Sequence, residues 1–394
     1  MNKKNMVDRS EAAEDRKNQR LLTILVILLG GLLAAHNLWH AAHPTSATAA
    51  APSMPAASES HWIVQAKSLS TLHELSEAQG WQVIRELGLI NALVIETTET
   101  SENLRSLPGV TAVTPNRGVQ AASQRGQKIE IVDSFFPNQL GANRLHRNLV
   151  RGWGVSVAVL DSGTTDTGRL TRNTLFQNRV HGVYNVATGN EGRDPDDVED
   201  GFGHGAHIAS TIALAEDTIG STFGFGGYNG IAPDAGLVIV KVLDDEGRGT
   251  YADVIAGVEY VIDNADELDI GVMNLSLSGA VYSHYWDDPL NQAVMAAWEA
   301  GIVVVVSAGN RGPEPMTIGV PGNIPYVITV GAMDDGNTPD DPSDDWLAEF
   351  SSTGPTAEGF VKPEVIAPGT NVRGVMADDS TLADRFPELR RRTE

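Results

Sequence analysis

Three side chains in this sequence have types and settings that could serve catalysis: Asp161, His204 and Asn310. Asp161 ends an apolar run and is followed by Ser162 and Gly163, so a carboxylate meets a residue that lets the chain turn sharply. Alone, an Asp in that position is an ordinary turn or cap. His204 lies in Gly203-His204-Gly205-Ala206-His207, where a helix of small apolar residues begins. Its flanking glycines permit close backbone approach and leave one imidazole face open to a substrate. Asn310 closes Ser307-Ala308-Gly309-Asn310, and an amide held there by small neighbours can donate to an oxygen that becomes negative during reaction.

The elements that must position these groups are legible as short runs rich in Val and Ile. Val155–Leu160, Leu237–Leu243, Val272–Leu277, Ile302–Ser307 and Tyr326–Val330 are apolar throughout, as strands covered on both faces must be. Ala252–Ala265 and Leu290–Ala300 carry helical spacing between them. The expected fold is α/β, a doubly wound and mainly parallel sheet occupying residues 137–394. Such a sheet presents ligand-binding residues at the carboxyl ends of its strands, where Asp161 and Asn310 fall.

A smaller α+β unit is expected ahead of it at 61–118, with strands His61–Gln65, Trp81–Leu89, Ala92–Thr97 and Val110–Pro115 and helices Leu69–Ala78 and Glu102–Leu107. That order is the split β-α-β of ferredoxin-like domains. An Ala/Pro/Ser-rich linker at 41–60 precedes it, and a polar stretch from Asn116 to Lys128 opens a second linker, set at 119–136, that suits proteolytic cutting. At the N-terminus, Lys3, Lys4, Arg9, Arg16, Lys17 and Arg20 precede the apolar run Leu21 to Ala35. Residues 1–40 therefore read as a signal peptide or signal anchor, with Ala47 and Ala49 offering a cleavage site and an exported, secreted, periplasmic or membrane-anchored protein as the consequence.

Asp161, His204 and Asn310, in this order, resemble the motifs of the subtilisin-like serine proteases. The surrounding phrases agree: Gly230-Ile-Ala-Pro-Asp-Ala, Met273-Asn-Leu-Ser-Leu277, Phe350-Ser-Ser-Thr-Gly-Pro355 and Lys362-Pro-Glu-Val-Ile-Ala-Pro-Gly369. The resemblance implies hydrolysis of peptide bonds in protein or peptide substrates by an Asp-His-Ser triad. His204 would be the general base, Asp161 would orient it, and Asn310 would stabilise the oxyanion. Leu275, Ser276, Leu277, Ser278 and Gly279 would bind the substrate backbone by strand addition and wall the pocket for the residue before the cut. Ser278 stands where the family usually has glycine, narrowing that pocket's entrance, and Ala206 replaces the usual threonine. The 61–118 unit, with Leu107-Pro-Gly-Val110 and Val113-Thr-Pro-Asn116, is similar to the family's inhibitory propeptide, the chain's own partner.

The family's Gly-Thr-Ser-Met-Ala segment is expected after Gly369 and does not occur, so the chain reads as ending before its nucleophile and inactive as written. Ser351, Ser352 and Ser380 lack the setting of that serine. A peptide-binding pseudoprotease is the alternative. Zinc hydrolysis through His204, His207 and Asp194, Asp196, Asp197, Glu199 or Asp200 is disfavoured, because His207 fits as a packed helix residue. Dinucleotide binding at Gly224, Gly226 and Gly227 fails for want of a following helix. No cofactor is required for the chemistry, although the acidic loops could hold structural calcium. With a net charge of −23, no electrostatic case exists for nucleic acid. Zero cysteines exclude disulfides and a thiol nucleophile.

Overall fold

The Val- and Ile-rich runs form a nine-stranded sheet in the computed structural model, which describes residues 60–122, 136–215, 229–336, 338 and 341–389. The signal segment, most of the first linker, residues 123–135 and the Gly224–Gly227 loop lie outside the described residues. Among the described residues no helix is long and apolar enough to cross a membrane.

The sheet is built from β6 (Ser156–Asp161), β7 (Val180–Asn185), β8 (Asn190–Gly192), β9 (Gly236–Lys241), β11 (Ile270–Leu275), β13 (Val303–Ser307), β14 (Ile328–Asp334), β15 (Trp346–Leu347) and β16 (Val365–Pro368). Its order is β15-β14-β13-β11-β6-β9-β7-β8, with β16 also on β14. The pairs from β14 through β7 are parallel, and antiparallel partners close the ends at β15 and β8. Alternation along each strand serves two cores. In β6, Val157 and Val159 face one layer while Ala158 and Leu160 face the other, and in β9 Leu237 and Ile239 oppose Val238 and Val240 in the same way. The first layer is covered by α3 (His204–Ala213), the second by α4 (Tyr251–Asp263) and α5 (Pro289–Glu299). Local chemistry fixes the starts of the last two. Thr250 and Asp253 form a reciprocal capping box on α4, and Asp288 caps α5 ahead of Pro289.

The N-terminal unit contains β1 (His61–Ala66), α1 (Leu69–Gln79), β2 (Gln82–Leu87), β3 (Ala92–Glu96), α2 (Ser101–Ser106) and β4 (Val110–Pro115). Its sheet order is β2-β3-β1-β4 with antiparallel neighbours, the ferredoxin-like arrangement. One face packs Val64, Leu93, Leu72 and Leu104 against its own helices. The other turns Ile63, Leu87, Ala92 and Val94 into the core shared with α4 and α5. Polar contacts pin this junction: Leu89 N donates to Glu259 Oε1 at 3.0 Å, Gln65 Nε2 to Gln292 Oε1 at 2.8 Å, and Ala252 N to Asn116 Oδ1 at 3.0 Å.

One expectation changes. The polar stretch beginning at Asn116 does not start as a linker: β5 (Gly118–Ala121) is a strand held antiparallel between β10 (Arg248–Thr250) and β12 (Leu277–Ser278). Both edges supply backbone partners, which overrides the weak strand preference of Gly-Val-Gln-Ala.

Candidate active site

Asp161 is the last residue of β6, at the carboxyl rim of the sheet, and is fully buried. His204 opens α3 and is 2% exposed, with its Nδ1 2.8 Å from Asp161 Oδ1. An ionised carboxylate only accepts, so Nδ1 carries the proton and Nε2 is left facing away with its lone pair. Two glycines allow this approach. A Cβ on Gly205 would collide with Gly163 O, and Gly163, at φ 120°, has the backbone of Val198 and Glu199 against it.

Asp200 completes the buried network, a role that its place in a run of acidic residues does not reveal. It accepts from Gly203 N and Ala206 N at 2.7 Å each, so it anchors the first turn of α3. Ser162 Oγ donates to Asp200 Oδ1 at 2.7 Å and accepts from Gly205 N at 2.9 Å, tying β6 to that turn. Burial raises the Asp200 pKa above the ordinary carboxylate value; its bonds to Ala206, Gly203 and Ser162 pull it down, and the charge of Asp161 pushes it up. For His204, burial is the largest single effect and lowers the pKa. The charge and hydrogen bond of Asp161, then Asp200 and the Ala122 carbonyl, act together in the other direction, and the outcome lies above the usual histidine value.

Asn310 follows β13, two strands from β6 at the same rim, after Gly309 in a left-handed conformation at φ 100°. Ser352 supports this turn: its N–H donates to Gly309 O and its Oγ accepts from Arg311 N. Ser351 Oγ accepts from Ala332 N. Ser380 lies buried against Gly203, but its hydroxyl donates to Ala377 O and accepts from Ala383 N. Among the described residues, no hydroxyl bonds His204 Nε2. His207 turns its Nε2 to Val372 O at 3.0 Å.

The predicted peptide-binding stretch divides by element. Leu275 belongs to β11 and, like Leu277, puts its side chain in the core. Leu277 and Ser278 pair with Ala121 and Gln120 of β5, and Ser276 O accepts from Ala122 N at 2.9 Å. Gly279 pairs with Val320 on the far side. On the opposite edge, Gly247 O accepts from Ala121 N at 2.8 Å. Residues Gly118–Ala121 are thus added as a strand between the edges of β10 and β12, and Ala122 brings its carbonyl to the imidazole of His204.

Comparison with known proteins follows the same lines. The serine protease AprX of Bacillus subtilis (strain 168) is 43% identical over 237 residues, covering 59% of this chain and 50% of AprX, so the chain spans half the length of that relative. Subtilisin E of the same organism is 30% identical over 318 residues, covering 79% of this chain and 71% of that protein. Fervidolysin from Fervidobacterium pennivorans, a keratinolytic enzyme related to subtilisin, superposes with a TM-score of 0.61 at 23% identity, over 88% of this chain and 51% of its own, and establishes the subtilisin-like fold. Since the model of the Subtilase family matches residues 152–393, the stretch that carries both Asp161 and His204, this chain belongs to the subtilases.

Proposed function

We propose that the protein is a serine endopeptidase in which His204 is the general base, Asp161 orients it and Asn310 donates to the oxyanion, with residues 61–118 as an inhibitory propeptide. The observation that carries this reading is the buried 2.8 Å bond between His204 Nδ1 and Asp161 Oδ1. Asp161 fixes the tautomer, so Nε2 is free to take a hydroxyl proton as that oxygen attacks the peptide carbonyl, and then to give it to the leaving amine. Asp161 meanwhile balances the imidazolium charge. The amide of Asn310 is placed by Gly309 at the rim where the carbonyl oxygen becomes negative. Extended substrates add as a strand between β10 and β12, the place that β5 holds before processing. The attacking hydroxyl is not assigned.

Export directed by residues 1–40, with the apolar run 21–35 as signal or anchor, belongs to the same reading. Structural calcium gains no support from the acidic loop between Asp334 and Asp345. Three of its described carboxylates bond within the loop, Asp334 to Gly336 N, Asp341 to Ser343 and Asp344 to Thr338, Asp335 accepts from Gln139 Nε2, and among the described residues no group of three or more is set to hold a metal.

The test is casein hydrolysis by the full gene product and its His204→Ala variant. The expected loss is about 10⁶-fold, the scale of subtilisin's own triad losses. A fluorophosphonate probe followed by mass spectrometry locates the attacking serine, and unimpaired hydrolysis by His204→Ala removes the assignment.

A further inference from the structure

Gln120 lies opposite Ser278 in the antiparallel register, so the two side chains share one face of the small sheet. Ala122, two residues on, returns to that face, with its N–H donated to Ser276 O at 2.9 Å and its carbonyl near His204. Ala122 is buried, and its own carbonyl is the one set beside His204, as the residue before a cut would present it. Here Ser278 packs against Gly309 and Gly319, the three walls of the proposed cleft. Gly319 N bonds Ala308 O, and Val320 bonds Gly279 in both directions, so the walls are fixed relative to one another. Ser278 Oγ occupies the space beside both Gly309 and Gly319. A Cβ on Gly319 would collide with Ser278 Oγ, and one on Gly309 would lie 3.0 Å from the same oxygen. The hydroxyl is seated against both glycines on the face where Ala122 carries only a methyl group.

We propose that Ser278 sets specificity by closing the cleft for the residue before the cut, so that the protein selects peptides with alanine, glycine or serine there and is processed after Ala122. This rests on the peptidase reading for its catalytic part, whereas the steric part concerns the groove alone.

The two parts are tested separately. In the chain itself, hydrogen exchange reads the Ala121 amide, which donates to Gly247 O. Ala122→Phe is expected to speed its exchange about tenfold or more as β5 leaves the groove, while β6 and β9 amides keep their protection. Adding Ser278→Gly to Ala122→Phe restores slow exchange. Unchanged exchange in Ala122→Phe, or no rescue by Ser278→Gly, overturns the closure of the cleft. In the full gene product, kcat/KM for a peptide with alanine before the cut should exceed that with phenylalanine by about tenfold or more, and Ser278→Gly should shrink the ratio about tenfold. A wild-type preference for phenylalanine overturns the selectivity. Absence of all hydrolysis alongside the expected exchange pattern counts against the peptidase reading and leaves the steric result standing.

Discussion

Ser162 has one hydroxyl proton and two carboxylates within reach, and the shorter bond gives it to Asp200. Asp161 is thereby left to accept from His204 and from the Ser162 backbone. The pH behaviour of His204 follows from this division. Its folded pKa is raised, so the pairing with Asp161 stabilises the protein fully below the unfolded histidine value, about 6.5, and that contribution is lost as pH rises through the folded value. Catalysis runs the other way, because the base must be neutral, and kcat/KM should fall as pH drops through the raised value. Asp161→Asn removes the leading upward influence and leaves burial in control. An NMR titration of the His204 ring should then move from above to below 6.5, and turnover in the full gene product should drop about 10⁴-fold. A ring that titrates unchanged in Asp161→Asn rules out the pairing as the cause. Asp200→Ala strands Gly203 N and Ala206 N in a buried site and leaves the Ser162 hydroxyl to Asp161, and the unfolding free energy should fall by about 2 kcal/mol or more, measured by denaturant titration.

At the scale of elements, β6 and α3 must touch backbone to backbone for Asp161 to meet His204, and Gly205 is the contact point. Alanine is a better helix former than glycine by about 0.5–1 kcal/mol, so Gly205→Ala ought to stabilise an isolated helix. Here its Cβ meets Gly163 O in a packed interior, a clash that costs about 1–3 kcal/mol and pushes α3 off β6. The expected variant has a lower unfolding midpoint and a disproportionate loss of kcat, with a weakened Asp161–His204 bond seen by NMR. The glycines around His204 were readable as a close approach, and the Val- and Ile-rich strands were readable to within a few residues, because a fully buried strand cannot tolerate polar positions. β5 was not legible. Gly-Val-Gln-Ala has no periodicity of its own, and its strand state comes from the edges of β10 and β12, far away in sequence. Asp200 was hidden for a related reason: among acidic neighbours nothing local distinguishes a buried carboxylate from a solvated one.

The whole molecule is bound into one unit by the face that the N-terminal sheet turns toward α4 and α5. Two kinds of contact cross this junction, and their magnitudes differ. Arg85 reaches Asp253 at 3.5 Å from a partly exposed position, and such a pair contributes about 1 kcal/mol or less. Leu87 is fully buried in the core shared by both units, and truncating such a side chain costs about 2–5 kcal/mol, because the cavity closes only in part. If the apolar face holds the units together, Leu87→Ala should loosen not only β2 and β3 but also β5, since the strand in the groove is tethered through Asn116 to the start of α4. Hydrogen exchange should then show faster amides at Ala121 and along the N-terminal sheet, while β6 and β9 remain protected, and Arg85→Ala should change little. The reverse ranking would mean that charge rather than burial docks the N-terminal unit, and the docking would then weaken with added salt instead of tolerating it.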